Sequence, residues 1–166
     1  MKGPIMTENS EEILAFAQAS TGRRVIGMGS LGFLGVMLIY IALASTPEIE
    51  WRVFLLAVGV VAIMLADKMR RATSSRIELT ETELRDSDGT VIARIADIAA
   101  MDRGFFAFKP SNGFLLRTNG SDERTWRPGL WWRVGKRVGV GGMTPAGQTK
   151  MISEIIAVKL ALRDGI

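Results

Sequence analysis

The stretch VIGMGSLGFLGVMLIYIALA, from Val25 to Ala44, contains twenty consecutive residues without a charge. A helix of this length rises about 30 Å, which matches the hydrocarbon thickness of a lipid bilayer. A second apolar stretch, from Trp51 to Ala66, follows after a short polar break. The sequence therefore predicts a two-helix transmembrane hairpin within residues 25–69, with spans at 25–44 and 51–68.

Two alternatives to this hairpin remain open. The second stretch is only sixteen residues long, which is also compatible with a buried helix of a soluble protein. Ala42-Leu43-Ala44 has the small-x-small pattern of a signal-peptide cleavage site. The apolar run before it exceeds the roughly 7–15 residues of a signal-peptide core, however, so we expect the first span to be retained.

Basic residues flank the hairpin at the two ends that face away from its connecting loop: Arg23, Arg24, Lys68, Arg70 and Arg71. The connecting loop carries Glu48 and Glu50, and Arg52 follows just beyond it. Because basic residues concentrate on the cytoplasmic side of membrane spans, both termini are predicted to be cytoplasmic.

Small residues recur along both spans at steps of three and four residues: Gly29, Gly32 and Gly35 in the first span, and Gly59, Ala62 and Ala66 in the second. Small side chains allow helix backbones to approach closely in lipid. These six residues are therefore the predicted helix–helix packing positions, within the hairpin or between copies of the chain.

Composition restricts the chemistry that the chain can perform. It contains no Cys and no His, so disulfides, thiolate metal sites, thiol catalysis and histidine general bases are excluded. The glycines between Gly139 and Thr144 precede a terminal helix with no strand after it, which does not fit a dinucleotide-binding motif. We expect no metal, no cofactor and no enzymatic activity, although carboxylate chemistry remains open.

The net charge of +4 is unevenly distributed along the chain. Residues 68–166 contain 17 Lys and Arg against 11 Asp and Glu, a net charge of +6, whereas residues 1–67 contain 4 against 6, a net charge of −2. Each basic residue close to anionic lipid contributes roughly 1 kcal/mol of attraction. Membrane lipids are therefore expected partners of the basic part.

The residues before the first span, 1–24, are predicted to form a polar leader. Asn9 or Ser10 is a suitable cap for a short amphipathic helix, and the residues that follow give this helix an apolar side: Ile13, Leu14, Phe16 and Ala17. Such a helix would lie at the membrane surface.

The chain after the second span has the alternation of short strands. Ile77 and Leu79 alternate with polar residues, and Asp88-Gly89 and Asn112-Gly113 are turn signals; Phe105, Phe106 and Phe108 alternate in part. A terminal helix is predicted after a Thr144 cap, with an apolar stripe at Met151, Ile155, Val158 and Leu162. Residues 72–166 are thus predicted to be an α+β domain. Its sheet would be a small antiparallel β-barrel or sandwich of about seven strands, closed by the C-terminal amphipathic helix.

The stretch from Arg124 to Arg137, RTWRPGLWWRVGKR, has five basic residues, three of the four tryptophans and no acid. Trp with Arg is typical of membrane interfaces, of protein–protein hot spots and of single-stranded nucleic-acid sites. The tryptophans would alternatively fill the core. The predicted contact surface comprises Arg124, Trp126, Arg127, Trp131, Trp132, Arg133, Lys136 and Arg137.

The hairpin, the strands, the run RPGLWWRVGKRVGVGG from Arg127 to Gly142 and the terminal helix together resemble small bacterial two-span membrane proteins with a pleckstrin-homology-like (PH-like) cytoplasmic domain. The resemblance implies a bacterial inner-membrane location and a binding or scaffold role, and it supplies no catalytic residues. Eukaryotic relatives of that fold bind phosphoinositides through basic residues on their first strands. The corresponding hairpin here is acidic: Glu81, Glu83, Asp86 and Asp88.

These observations predict a non-enzymatic, membrane-anchored scaffold or accessory subunit. Its basic, Trp-rich domain would contact anionic lipid or a membrane-protein partner, and a homo-oligomer is a further expectation. The alternatives are a carboxylate-dependent enzyme and a membrane-tethered nucleic-acid-binding module, although nucleic acid is not an expected partner.

Overall fold

The computed structural model describes residues 12–45, 47–102 and 110–165. The described residues form three α-helices: α1 (Thr21–Ala44), α2 (Ile49–Ala72) and α3 (Ala146–Asp164). They also form a 3-10 turn at Ile95–Asp97 and the strands β1 (Ala15–Gln18), β2 (Arg76–Leu79), β3 (Glu83–Asp86), β4 (Val91–Arg94), β5 (Ile98–Asp102), β6 (Phe114–Thr118), β7 (Thr125–Arg127), β8 (Trp131–Val134) and β9 (Arg137–Val140).

Helices α1 and α2 are long and apolar enough to cross a membrane. Each has 24 residues, and the most apolar segment of each has a mean hydropathy of 2.1. Only 11% of each segment is buried within the monomer, whereas the core helix of a soluble protein is mostly buried. The predicted spans lie within these helices, which begin at Thr21 and Ile49 and therefore start before them.

The two helices cross where two glycines meet. A Cβ atom at Gly35 would lie 2.7 Å from Ile63 Cγ1 and 2.8 Å from the Gly59 carbonyl oxygen. Gly59 faces Gly35 in the same way, and Ala42 and Ala62 are buried on the two helices.

The other predicted packing glycines do not take part in this crossing. A Cβ atom at Gly29 or Gly32 would meet nothing within 4 Å, and Ala66 is half-buried. Gly29 and Gly32 are therefore not points of close approach within the hairpin, and their packing between copies of the chain stays a prediction.

The nine strands and α3 form a second part of the molecule, which we call the head, at one end of the hairpin. Four strands make an antiparallel sheet in the order β1-β2-β3-β4, and five make a second antiparallel sheet in the order β5-β6-β9-β8-β7. The predicted α+β layout with a C-terminal helix is confirmed. The described strands form two sheets rather than a closed barrel, and there are nine of them instead of about seven.

The head includes chain from both sides of the hairpin. Residues 1–11 of the predicted leader lie outside the described part of the chain, but Ala15–Gln18 form a strand rather than a helix. Ala15 and Ala17 are buried, and this strand pairs with β2 along its whole length. The prediction of an amphipathic helix at these residues is therefore wrong. The predicted domain boundary at residue 72 leaves out β1, the first strand of the head.

Local turn signals define the hairpins of the head. The Asp86 N–H donates to the Thr90 carbonyl at 2.8 Å around Asp88-Gly89, and Gly89 has a φ of +89°. Asn112 has a φ of +53° at the second predicted turn. Both turns are as predicted, whereas Phe105, Phe106 and Phe108 lie outside the described residues.

The core of the head lies between the two sheets and α3. Its largest fully buried side chains are Trp131, Phe114, Ile77, Leu79, Leu84, Ile92, Ile98, Leu116, Leu130, Ile152, Ile156 and Val138. Burying each of these aliphatic or aromatic side chains contributes about 1.5–3 kcal/mol before conformational entropy is subtracted.

Helix α3 buries a different face from the predicted one. Its buried residues are Thr149, Ile152, Ser153 and Ile156. Met151, Val158 and Leu162 are 54%, 58% and 74% exposed. The predicted cap is also displaced, because Pro145 holds the N-cap position and the buried Thr144 hydroxyl has no hydrogen-bond partner among the described residues.

The glycine crossing leads to a matched pair of substitutions. We expect Gly35→Ala to destabilise the full chain by about 1–3 kcal/mol, because its methyl group overlaps the backbone of α2. Gly32→Ala adds the same methyl group where nothing is in contact, so its thermal midpoint in mild detergent should equal or exceed the wild-type value. Equal midpoints for the two variants would contradict the close crossing.

Candidate functional site

The two ends of the hairpin are bonded to the head at one place, which we call the foot: Ser20–Arg24, Met69–Thr73, Gly129 and Met143–Thr144. The Ser20 N–H donates to the Met143 carbonyl at 2.9 Å. Arg24 Nε donates to Thr73 Oγ1 at 3.1 Å, which joins the start of α1 to the end of α2. Arg23 Nη1 donates to the Thr144 carbonyl at 3.3 Å.

Methionine side chains fill the space at the foot. A Cβ atom at Gly27 would lie 2.5 Å from Met143 Cε and 3.5 Å from Met69 Sδ. Gly129 has a φ of +88°, and a Cβ atom there would lie 2.9 Å from Thr73 Cγ2. The positive φ favours glycine at 129, and a side chain at 27 would displace the end of Met143, so this packing holds the head on the hairpin.

Trp126 on the edge strand β7 lies against the last turns of α2. Lys68 Nζ is 4.7 Å from the centroid of the Trp126 ring, within the range of a cation–π interaction. Lys68 comes two residues after Ala66, the last residue of the apolar stretch, which is a rise of about 3 Å. The half-exposed Trp126 ring is therefore at the level where α2 leaves its apolar stretch.

Trp132 shares the outer face of the five-stranded sheet with Trp126. Trp126, Trp132 and Gly139 are aligned across β7, β8 and β9. The Trp132 ring covers Gly139, where a Cβ atom would overlap the indole. The half-buried Trp132 and the exposed Trp126 therefore form one aromatic surface above the foot.

Trp131 and Arg133 lie on the opposite face of β8, because side chains alternate along a strand. Trp131 is 1% exposed, and its Nε1 donates to Asp86 Oδ2 at 3.0 Å. Arg133 Nη1 donates to the Val91 carbonyl at 3.0 Å, and Arg133 Nε donates to the Glu123 carbonyl at 2.9 Å. The prediction that these two residues belong to an exposed contact surface is wrong.

The exposed basic residues of the predicted surface are Arg124, Lys136 and Arg137, and within the described chain none of them is in an ion pair. Lys136 and Arg137 lie at the β8–β9 turn, where Gly135 has a φ of +58°. This turn is about 10 Å beyond Trp132 along β8. The predicted surface therefore divides into an aromatic part near the foot and a basic part distant from it.

Arg127 is bonded within the head. Its guanidinium donates to the Asp88 carboxylate, and its Nε lies 4.0 Å from Asp86 Oδ2. Burial acts to raise the pKa of Asp88, but hydrogen bonds from Thr90 and the Arg127 guanidinium outweigh it and hold this pKa below its usual value. Arg127 thus ties β7 to the β3–β4 turn of the other sheet.

A groove of about 400 Å³ runs along α2 to Lys68. Apolar side chains line one part of it and charged side chains the other: Val61, Met64 and Leu65, then Asp67, Lys68 and Arg71. Asp67 accepts hydrogen bonds from Arg70 and Arg71, so the charged part has a net positive charge. The groove therefore joins an apolar part to a basic part.

A second cavity, of about 310 Å³, lies where the two sheets separate. Its lining includes the exposed carboxylates Asp97, Asp122 and Glu123, and also Arg94 and Arg133. Asp122 Oδ2 is 3.6 Å from Arg133 Nη1. Carboxylate chemistry, if present, would be located here. Among the described residues no cluster of carboxylates suits a metal ion.

Comparison with protein-family models, with curated proteins and with solved structures finds no match. The resemblance to two-span PH-like proteins therefore stays a prediction from the sequence. The contact between Lys68 and Trp126 was not predicted, since residues 58 positions apart give no joint sequence signal.

The indole of Trp131 provides a test of the polar contact in the core. Trp131→Phe leaves the buried Asp86 carboxylate without its donor, so we expect a loss of about 1–3 kcal/mol in the free energy of unfolding. Trp126→Phe, a change of the same type at an exposed position, should alter it little. Denaturant titration of the full chain in mild detergent measures both, and equal losses would contradict the assignment.

The lowered pKa of Asp88 predicts a pH dependence. A carboxyl group with a lowered folded-state pKa stabilises the protein above its unfolded pKa of about 3.9, and this stabilisation is lost as the pH falls through the folded-state pKa. Arg127→Gln should raise the Asp88 pKa toward its usual value, measured by NMR titration of the carboxyl carbon. Arg124→Gln, which alters an arginine that has no ion pair among the described residues, should leave it unchanged; a shift of the same size would contradict the assignment.

Proposed function

We propose that the chain is a non-enzymatic, membrane-anchored binding module of the bacterial inner membrane. Helices α1 and α2 span the bilayer and hold the head on the cytoplasmic side, docked on anionic lipid. The contact between Lys68 and Trp126 is the observation that supports this proposal most directly.

The distribution of charge supports the orientation. Five basic residues lie at the ends of the hairpin that enter the head: Arg23, Arg24, Lys68, Arg70 and Arg71. The loop at the other end carries Glu48 and Glu50. Strand β1 and helix α3 both belong to the head, so the two described ends of the chain lie on the same side as these basic residues.

The position of Trp126 supports contact with lipid. Trp rings favour the headgroup level of a bilayer, where one part of the ring is apolar and another can hydrogen-bond. Lys68 connects the Trp126 ring to the groove on α2, whose apolar part lies at the depth of the hydrocarbon. A phospholipid bound with its phosphate near Lys68 and Arg71 would contact both the basic and the apolar part of this groove.

The layout of the head supports a scaffold or accessory role of the PH-like kind. Two antiparallel sheets and a C-terminal helix are present, although the comparisons identify no relative. Asp86 and Asp88 of the first hairpin are bonded to Trp131 and Arg127. The proposed docking at the foot therefore differs from phosphoinositide binding, which depends on basic residues in that hairpin.

Depth-dependent fluorescence quenching tests the docking. The full chain is reconstituted in vesicles that contain phosphatidylglycerol and lipids brominated near the headgroup or deep in the acyl chains. We expect headgroup-proximal bromines to quench the fluorescence contributed by Trp126, obtained as the difference between wild type and Trp126→Phe. Lys68→Gln should reduce that quenching, and neutral vesicles should also reduce it.

Trp131→Phe is the matched control for this measurement, because Trp131 lies in the core and its fluorescence should be insensitive to bromine at any depth. Identical quenching fractions for wild type and Trp126→Phe would overturn lipid docking. In that case the same aromatic surface would be free for a membrane-protein partner.

A further inference from the structure

The glycine crossing of the hairpin lies at the middle of the charge-free run of each long helix. In α1 this run extends from Val25 to Ala44, and in α2 it extends from Val53 to Ala66. Gly35 and Gly59 stand next to the midpoints of these runs, and their backbones meet at the crossing. The charged ends of the two helices can therefore be compared from a common level.

The charges of α2 begin closer to this level than the ends of the run in α1. The run in α1 extends about 15 Å from the crossing toward the head and about 13.5 Å toward the connecting loop. Along α2, Arg52 is only about 10.5 Å from the crossing on the loop side, and Asp67 is about 12 Å from it on the head side. Half of the hydrocarbon core of a bilayer is about 15 Å thick. A bilayer of this thickness would therefore place both charged residues inside its hydrocarbon.

A shift or a tilt of the hairpin does not relieve both ends of α2. Arg52 and Asp67 are about 22 Å apart along the helix, and a tilt from the membrane normal shortens their separation across the bilayer further. The short side chain of Asp67 accepts hydrogen bonds from Arg70 and Arg71, one turn later. Arg52 Nε is buried within the monomer and has no hydrogen-bond partner among the described residues. The adjustment that remains is a thinner bilayer beside α2.

Two exposed tryptophans lie at the same two levels. Trp51, next to Arg52 on the loop side, is 62% exposed. Trp126, on the head side, lies against Lys68 and is 49% exposed. Trp51 and Lys68 are about 25 Å apart along α2. Because Trp rings favour the headgroup level, this separation supports a thin bilayer independently of the charges.

We propose that the lipid-facing surface of α2 matches phospholipids with short acyl chains, of about fourteen carbons, which form thinner bilayers than eighteen-carbon lipids. The bilayer is thinned on the α2 side only, since the run in α1 matches the ordinary thickness. This inference deepens the proposed function and rests on the spanning of the membrane by α1 and α2. It requires neither the docking of Trp126 on lipid nor an anionic headgroup.

Competition between lipids of different chain length tests the match. The full chain is reconstituted in vesicles of eighteen-carbon phosphatidylglycerol, a phosphatidylcholine of the same length brominated in its acyl chains, and an unbrominated phosphatidylcholine of fourteen or twenty-two carbons. Quenching of Trp51, obtained as the difference between each protein and the same protein with Trp51→Phe, measures how well each lipid displaces the brominated one. We expect the association constant of the fourteen-carbon lipid to be about threefold higher than that of the twenty-two-carbon lipid, because mismatch carries a cost for each ångström.

Arg52→Leu lengthens the charge-free run of α2 by two residues, so it should reduce this preference. Arg124→Leu is the matched control, because it removes an exposed arginine of the head, and it should leave the preference unchanged. Equal constants for the two lipids in the wild type, a preference for the longer lipid, or the same preference in both variants would overturn the proposal. The quenching of Trp126 by headgroup-proximal bromines would be unaffected by any of these results. Absence of Trp51 quenching by every brominated lipid would instead contradict the membrane-spanning arrangement, and with it the proposed function.

Discussion

The arrangement of the molecule depends on the packing at the foot. Two chain connections, one into α1 and one out of α2, are bonded to each other and to the loop that carries Met143. Glycines at 27 and 129 let the methionine side chains fill the space between them. A flexible linker would have left the head free to rotate. Here the position of Trp126 relative to the apolar part of α2 is determined by direct packing.

Polar side chains from β7 and β8 join the two sheets in addition to the apolar core between them. Trp131 bonds Asp86, Arg127 bonds Asp88, and Arg133 bonds the Val91 and Ile92 carbonyls of the edge strand β4. Among these contacts, those from Arg133 satisfy carbonyl groups that an open sheet edge would otherwise present to a neighbouring strand. They also explain why a stretch that contains so many basic residues exposes only some of them.

Features that depend on near neighbours in sequence were predictable. The two apolar spans, the alternation of Ile77 and Leu79 and the Asp88-Gly89 turn each depend on a few consecutive residues. Strand β1 was not predictable, since its small apolar residues also suit a helix and its partner β2 lies on the far side of both spans. Pairing with β2 favours the strand over the helix at these residues.

The same limit applies to the candidate site. Trp131 and Trp132 are adjacent and chemically identical, and only the register of β8 directs one inward and the other outward. In α3 two faces have the same helical period, and the one that contains Thr149 and Ser153 packs inward. Periodicity identifies apolar faces but does not say which of them meets the sheets.

The placement of β1 before the first helix has a consequence for biogenesis. During synthesis this strand leaves the ribosome well before β2, and the whole hairpin is made between them. In the membrane-spanning arrangement that we propose, the first sheet closes only after both helices have been inserted and the chain has returned to the side where it started. In that arrangement, completion of the sheet is coupled to correct topology, because a chain with a single inserted helix would leave β1 and β2 on opposite sides of the bilayer.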